Sequence, residues 1–475
     1  MLPGLTTEQQ AAVGAPPGPL LIVAGPGSGK TLVLAARVAY LIRRRGIPAQ
    51  HVLALTFAAR AAQELRARLV RVLDEPGQRV DVATFHSLGL RLIRQWPAAL
   101  GLAPGAVSVL TSSQATQLLH SAAHDVGLDL TRWSPAELAA SLEQLRRSED
   151  GVPAIPPWSA LLTAYEGLLR RYGAVDYPAM LTWPLRLFRE QPETLRLVRD
   201  RYQVILCDEA QDCCLAQYRL VQQLAATHRQ LVLVGDPRQS IYAWRGADGQ
   251  VLQRFGVEFP ERRVVRLAQN FRSSGQIVAF ANALGAPLGA EGPLWTTNSP
   301  GEPVRVFVAT DEEDEAGFVA AEIRRLLRTS AVAHAGEIAV LYRLNQQREV
   351  LARTLRQAGA PVQHAAEEAT VWLSTIHQAK GAEWPVVFLV GMEERLLPHY
   401  HAIESGAEED LLAELRLAFV AVTRPRMRLY LTCCRQRRQH HGRPAGVGAG
   451  THRRLLCRPS RFLTGLPAGL LARAA

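Results

Sequence analysis

The densest chemistry in the chain lies near its start, in Leu20-Leu21-Ile22-Val23-Ala24-Gly25-Pro26-Gly27-Ser28-Gly29-Lys30-Thr31. Four apolar residues predict a short buried strand. A glycine-rich turn follows, then helical periodicity from Leu32 to Arg45. Strand, loop and helix in that order form a phosphate-binding loop. Glycines let backbone N–H groups converge on phosphate oxygens, and the helix N-terminus adds partial positive charge. Lys30 is expected to reach the β- and γ-phosphates, and the Thr31 hydroxyl to hold Mg²⁺. Ala24 stands where the strict pattern has its first glycine. A second stretch, Val204 to Asp212, is an apolar strand ending in paired acids. Asp208 is expected to hold Mg²⁺ through its water shell, and Glu209 to orient and deprotonate the attacking water. ATP and Mg²⁺ are the cofactors that these two stretches imply together.

Only two of the 54 basic residues are lysine, Lys30 and Lys380. Where nearly every cation has become arginine, the exceptions mark sites at which a compact ammonium works and a guanidinium fork does not. Lys30 fits that reading; Lys380 is a candidate without a role. A third stretch, Gln230 to Gly246, reads as a strand and then a loop holding Gln239, Tyr242, Trp244 and Arg245. Aromatics beside arginines suit base stacking on single-stranded nucleic acid. Core packing explains the same aromatics equally well.

At 475 residues, 48% hydrophobic and 20% charged, the chain has the balance of a globular protein with several domains. Its net charge of +11 suits a polyanionic partner, and nucleic acid is the first expectation. No apolar run is long enough to span a membrane and no secretory signal is visible, so a cytoplasmic protein is expected. The six cysteines show no CxxC spacing and read as reduced thiols. A zinc site from Cys433, Cys434, His440, His441, His452 and Cys457 is weakened by the adjacency of two of its cysteines.

These residues need elements to position them. Strands are predicted at 51–57 and 80–87 around a helix at 58–72, so strand and helix alternate as in a parallel sheet with ligands at its carboxyl edge. From 88 to 200 helical periodicity dominates, with prolines at 97, 104, 135 and 153–157, which predicts an all-helical insertion. The sheet resumes at 204. A second α/β block without a phosphate loop starts near Arg262, with strands at 304–308, 337–343, 371–376 and 385–390 and helices at 312–327, 348–357 and 408–422. The fold class is therefore α/β, divided as 1–87, helical insertion 88–200, 201–261, a second α/β domain 262–465 and a tail 466–475. The arginine- and histidine-rich stretch from Arg435 to Arg461 is expected to be a solvated segment, with contact to phosphates as the alternative.

With these motifs in order, the chain resembles the UvrD/Rep family of superfamily 1 DNA helicases over nearly its whole length, from Leu5 to about Phe462. The resemblance implies two RecA-like domains sharing one nucleotide across a cleft. It implies that Gln9 reads adenine, that Phe271 stacks on it where the family has Tyr, and that Glu383 binds the ribose. Gln239 would sense the γ-phosphate. Arg66, Arg272 and Arg424 would contact phosphates, the last two as arginine fingers. Strand-binding positions fall on Phe57, His86, Tyr242, Trp244, Arg245, Thr375 and His377. The implied partners are single-stranded DNA and its junctions with duplex, with repair or replication proteins, in a bacterial nucleoid. The implied polarity is 3′-to-5′.

The departures are Ala210 for the usual Phe, Cys213 for Thr and Pro425 for Ala. A proline disfavours helical geometry at Arg424. The largest departure is an absence: where the family inserts a second helical subdomain, only about a dozen residues join the Ala358-Gly359 turn to the strand before His377. This leaves three rival readings beside a helicase. They are a translocase that displaces proteins without unwinding, a non-catalytic DNA-binding subunit of a helicase complex, and an enzyme acting on RNA. The tail offers no acidic cluster for a nuclease.

Overall fold

The computed structural model describes residues 4–103, 105, 107–146, 157–289, 292–360, 362–363, 370–438 and 454–474. They form two compact units. The first comprises 1–22, 31–235 and 242–265, the second 23–30, 236–241 and 266–475. Two parallel sheets organise them, and the fold is α/β with two RecA-like domains and a helical insertion.

The first sheet contains β1 (Leu20–Ala24), β2 (Val52–Thr56), β3 (Asp81–Thr84), β6 (Val204–Cys207), β7 (Leu231–Gly235) and β8 (Arg263–Leu267), in the order β3-β2-β6-β7-β1-β8. Between β3 and β6 the chain also makes a short pair, β4 (Ser108–Val109) with β5 (Ala174–Val175). Every residue of β1, β2, β6 and β7 is buried. Helices on both faces demand that, which is why these strands read as continuous apolar runs. Helix α1 (Thr7–Gly14) precedes β1, α2 (Lys30–Arg45) follows it, and α3 (Ala59–Leu73) follows β2. Thr6 and Gln9 close a capping box on α1.

The predicted strand 80–87 stops at Thr84, which caps a helix, Phe85–Gln95. Its side chain accepts from the Ser87 N–H, so Phe85, His86 and Ser87 form a first helical turn. The insertion is helical as read, with helices Ser112–Asp125, Pro135–Arg146, Trp158–Arg171, Ala179–Glu190 and Pro192–Arg201; prolines 104 and 153–156 lie outside the described residues.

The second sheet is wholly parallel, in the order β11-β12-β10-β13-β14-β9-β17. Its strands are β9 (Val304–Ala309), β10 (Ile338–Tyr342), β11 (Val362–Gln363), β12 (Val371–Thr375), β13 (Trp384–Leu389), β14 (Pro425–Cys434) and β17 (Leu471–Arg473). Pro425 is the first residue of β14, a place where a missing N–H costs no ladder bond. Arg424 lies between the end of helix Glu408–Val422 and this strand, so the proline interrupts no helix.

Two expectations for the C-terminal stretch change. Residues 471–473 extend the second sheet. The described part of the arginine-rich stretch also folds: β15 (Gln436–Arg438) pairs with β16 (Arg454–Leu456). The Arg437 guanidinium joins Glu315 and Glu393, both buried, which raises its pKa further, and Arg461 joins Glu394. Two buried carboxylates on one arginine explain why this segment is not solvated.

Gly89, in the helix Phe85–Gln95, faces the helix Ala179–Glu190 at closest approach, and a Cβ there would collide with the Met180 carbonyl oxygen. Gly89→Ala is expected to destabilise the first unit by about 1–3 kcal/mol, the usual range for overpacking. Urea denaturation followed by circular dichroism measures it; an unchanged midpoint would contradict this packing.

Candidate functional site

The glycine loop belongs to the second unit, and its shape is set by backbone contacts there. Gly25 N–H donates to the Leu267 carbonyl at 3.2 Å, and Phe271 N–H donates to the Gly27 carbonyl at 2.9 Å. The Asn270 amide nitrogen donates to the Pro26 carbonyl at 2.9 Å, while its oxygen accepts from the N–H groups of Arg272 and Ser273. Two glycines lie at close approaches, and at Gly27 the approach is to a Cβ. A Cβ on Gly25 would lie 2.5 Å from Leu294, and one on Gly27 would lie 2.7 Å from Arg272 and 2.8 Å from Asn270. Gly27 and Gly29 also take positive φ, +70° and +82°. Ala24 has no such demand, because it ends β1 fully buried with ordinary backbone geometry. Lys30 begins α2, and Ser28 is buried in the loop.

Around the loop in the same unit stand several residues singled out by sequence. Gln239 is 3% exposed and fully engaged. Its amide nitrogen donates to Asp236 at 2.9 Å, its amide oxygen accepts from Arg424 at 3.0 Å, and its carbonyl accepts from the Lys380 ammonium at 2.6 Å. Lys380 thus acquires a place, its ammonium donating to the Gln239 carbonyl. Arg424 is 2% exposed, and its Nε donates to the Val420 carbonyl. Arg238 follows from the same Asp236, to which it donates at 3.1 Å, and reaches within 3.4 Å of a Cβ position on Gly25. Arg272 donates to Glu383 at 2.5 Å and to the Thr423 carbonyl at 3.1 Å. The residues expected at a phosphate and at a ribose are here paired with each other. Phe271 beside them is 46% exposed, available for stacking.

In the first unit, β6 delivers Asp208 and Glu209 to the carboxyl edge of its sheet. Asp208 accepts from the Glu209 N–H at 2.9 Å. Glu209 has φ 51°, a left-handed conformation that costs a non-glycine residue about 1–3 kcal/mol. It is held there by Gln211, whose amide donates to its carboxylate at 2.5 Å. Gly235 at the end of β7 makes room for Gln211, since a Cβ there would strike the Gln211 amide oxygen. Cys207 and Cys213 lie 3.7 Å apart in the core beneath, and hydrogen bonding and burial push the Cys213 thiol well up. The Thr-to-Cys departure is thereby absorbed as packing. Thr31 and Asp208 are oxygen donors and fit a hard divalent ion that completes its shell with water and phosphate. Among the described residues no cluster of three or more metal-binding side chains exists; His440, His441 and His452 of the zinc reading lie outside them. No helix among them is long and apolar enough to cross a membrane.

The strand-binding candidates fall into small groups. Phe57 and Tyr242 stack with centroids 5.5 Å apart and planes at 13°. Trp244 is 65% exposed, which favours a platform over core packing. His86 packs against Tyr177 at 4.8 Å, and burial holds its imidazole below the ordinary value. The Arg245 side chain lies outside the described residues. Thr375 ends β12 and caps the turn through the Gln378 N–H, with His377 in that turn. Arg66 donates to the Val82 carbonyl of β3 at 2.5 Å. Gln9 is buried at 3%, and its amide oxygen accepts from the Thr6 N–H.

Sequence reading passed over three residues. Asn270 organises the loop, though it lay within the motif Gln269-Asn270-Phe271-Arg272. Tyr177, 61% exposed, covers His86. Arg37 is a cation inside the apolar run of α2; it is 1% exposed and donates to the carbonyls of Val13, Ala15 and Pro16. It caps the C-terminus of α1, where a positive charge is favoured. Its burial lowers its pKa to about 10, still charged at neutral pH.

Residues 5–260 match the UvrD/REP helicase N-terminal domain family, and residues 265–369 and 361–436 match the UvrD-like helicase C-terminal domain family. A Staphylococcus epidermidis protein named ATP-dependent DNA helicase PcrA is 33% identical over 372 residues, covering 76% of this chain and 51% of its own. A Mycobacterium tuberculosis protein named ATP-dependent DNA helicase UvrD1 is 35% identical over 382 residues, covering 76% and 49%. A Leuconostoc citreum PcrA is 34% identical over 370 residues, covering 75% and 49%. The chain spans about half the length of the curated relatives it matches.

Removing the Asn270 side chain leaves the Pro26 carbonyl and the N–H groups of Arg272 and Ser273 without this partner, a cost of about 1–3 kcal/mol for each group that is buried. Asn270→Ala is expected to weaken nucleotide binding at least tenfold, measured by fluorescence titration with a labelled nucleotide. Asn270→Asp, which keeps both accepted bonds, should lose less. Equal affinity in native protein and Asn270→Ala would show that the amide does not shape the loop.

Proposed function

Because the chain belongs to the UvrD/REP helicase family, we propose that it is an ATP-dependent DNA motor that moves along single-stranded DNA. The observation that carries this reading is the joint fixing of loop and arginines: Phe271 and Asn270 are bonded to the glycine loop, and Arg424 to Gln239. In this proposal Gly25 to Thr31 hold the phosphates, Gln9 reads the adenine, Phe271 stacks on it and Glu383 binds the ribose. Thr31 and Asp208 hold Mg²⁺, which when bound neutralises charge on the phosphate oxygens. Glu209 takes the proton of the attacking water, its reach fixed by Gln211. Arg272 and Arg424 stabilise charge on the transferring phosphoryl group, an effect worth roughly 10³–10⁵ in rate among enzymes of this chemistry. Gln239 reports the γ-phosphate through Arg424. Arg66 is assigned to phosphate on the motif alone.

On the DNA side we assign Phe57, His86, Tyr242, Trp244, Arg245, Thr375 and His377, with Tyr177 added. Exposed aromatics grip successive bases at about 1–3 kcal/mol each. The 3′-to-5′ direction, a junction substrate and a role in repair or replication rest on family membership alone. One observation favours a second reading, in which the motor displaces bound proteins without separating strands. Only the residues from 358 to 370 join helix Gln347–Gln357 to β12, too few for a second helical subdomain.

A steady-state ATPase assay with and without single-stranded DNA tests the proposal. Stimulation by DNA is expected, falling at least a hundredfold in Lys30→Ala and Glu209→Gln. Trp244→Ala should lose stimulation while keeping its nucleotide affinity. A Glu209→Gln protein with native turnover would remove the general base from the scheme, and stimulation by RNA alone would change the substrate. Strand separation assayed beside displacement of a bound protein decides between the two readings.

A further inference from the structure

A cavity of about 930 Å³ opens in the first unit among helices Pro135–Arg146, Trp158–Arg171, Ala179–Glu190, Pro192–Arg201 and Leu215–Ala225. It shares no residue with the nucleotide and strand candidates. Its size is that of a small-molecule site, and part of its wall is apolar, from Leu162, Phe188, Leu195 and Leu215. Five arginines line it: Arg146, Arg186, Arg189, Arg199 and Arg219.

Three of these charges are already neutralised. Arg146 pairs with Asp176 at 2.8 Å, Arg186 with Glu190 at 2.7 Å and Arg219 with Glu258 at 2.6 Å. The remaining lining carboxylate, Glu166, is held by Arg170 at 3.0 Å. Among the described residues Arg199 donates only to a neutral group, the Gln223 carbonyl, at 2.7 Å. Arg189 has no hydrogen bond or ion pair among the described residues. Among the described residues, two positive charges in the wall therefore have no carboxylate partner. Arg146 adds an unmet demand of its own. Its side chain is 5% exposed, yet Nε and one terminal nitrogen have no hydrogen-bond acceptor, Nε standing 3.8 Å from Glu166. These two N–H groups can serve an incoming acceptor, since buried N–H groups are usually hydrogen-bonded.

We propose that this cavity binds a phosphomonoester or pyrophosphate anion of nucleotide size. A phosphomonoester carries a charge of about −1.5 to −2 at neutral pH, a pyrophosphate more, and both have several acceptor oxygens. That matches two unneutralised guanidiniums and the N–H groups of Arg146; a single carboxylate would balance one arginine only. Guanidinium forks take phosphate oxygens in pairs, and the apolar wall receives the rest of the ligand. The same phosphoryl chemistry occurs on a free nucleotide and on the 5′-phosphate end of a nucleic-acid strand.

The test uses the full chain carrying Lys30→Ala, which removes the glycine loop's share of binding. Isothermal titration with inorganic pyrophosphate is expected to show one equivalent bound. Arg189→Ser/Arg199→Ser in that background should weaken it at least tenfold, and Arg189→Ser alone, at an exposed side chain with no hydrogen bond or ion pair among the described residues, at least threefold with an unchanged melting temperature. A nucleoside monophosphate or a 5′-phosphorylated oligonucleotide should then displace the probe, and whichever competes identifies the source. No binding to Lys30→Ala, undiminished binding to the arginine variants, or displacement by neither competitor would overturn the site. None of these outcomes bears on ATP hydrolysis at the loop, which the native chain reports separately.

Discussion

One amide side chain holds the loop. Asn270 bonds the Pro26 carbonyl with its nitrogen and two N–H groups of its own turn with its oxygen. A phosphate loop works only if its N–H groups stay aimed at empty space, a geometry that a free chain abandons to satisfy them elsewhere. The bond to Asn270 and the neighbouring bond from Phe271 to Gly27 fix the loop from outside. They also tie it to the residues that carry an exposed ring, Phe271, and a guanidinium, Arg272. Glycine at position 27 is what allows the approach, since any Cβ would meet Asn270 and Arg272 inside contact distance.

The second fixed point is Gln239. Each polar group of its side chain is spoken for, by Asp236 on one side and Arg424 on the other, and Lys380 holds its backbone. A buried cation such as Arg424 is stable only when its donors are met, so the glutamine and the arginine position each other. In the proposed motor this makes Gln239 a relay: a change in the charge facing Arg424 is felt at Gln239 and, through Asp236, at Arg238. Glu209 stands under a different constraint, a left-handed backbone sustained by Gln211. Strain of this kind persists where surrounding bonds over-determine it.

Most of this architecture was legible in the residues. Apolar runs buried on both faces gave the parallel strands, and the glycine turn with Lys30-Thr31 stood out by composition and spacing alone. What was not legible came from long-range contacts. Arg37 looked like one more arginine on a helix, because its partners are carbonyls more than twenty residues away. Hydrophobic period does not mark the boundary at Thr84, because a capping bond ends that strand. The stretch after Arg435 read as solvated because its composition is basic; the carboxylates that bury Arg437 are far off in sequence. Lys380 was marked by its rarity, but only the Gln239 carbonyl gave it a place.

The central claim is that hydrolysis at this loop moves the chain along a strand. Stopped-flow arrival kinetics test it most directly, with a fluorophore at one end of oligodeoxynucleotides of increasing length and ATP added to bound protein. The account predicts an arrival time that grows linearly with length, for a label at one end only. Arrival independent of length, or identical for labels at either end, would contradict it and leave a nucleotide-binding protein that holds DNA without travelling.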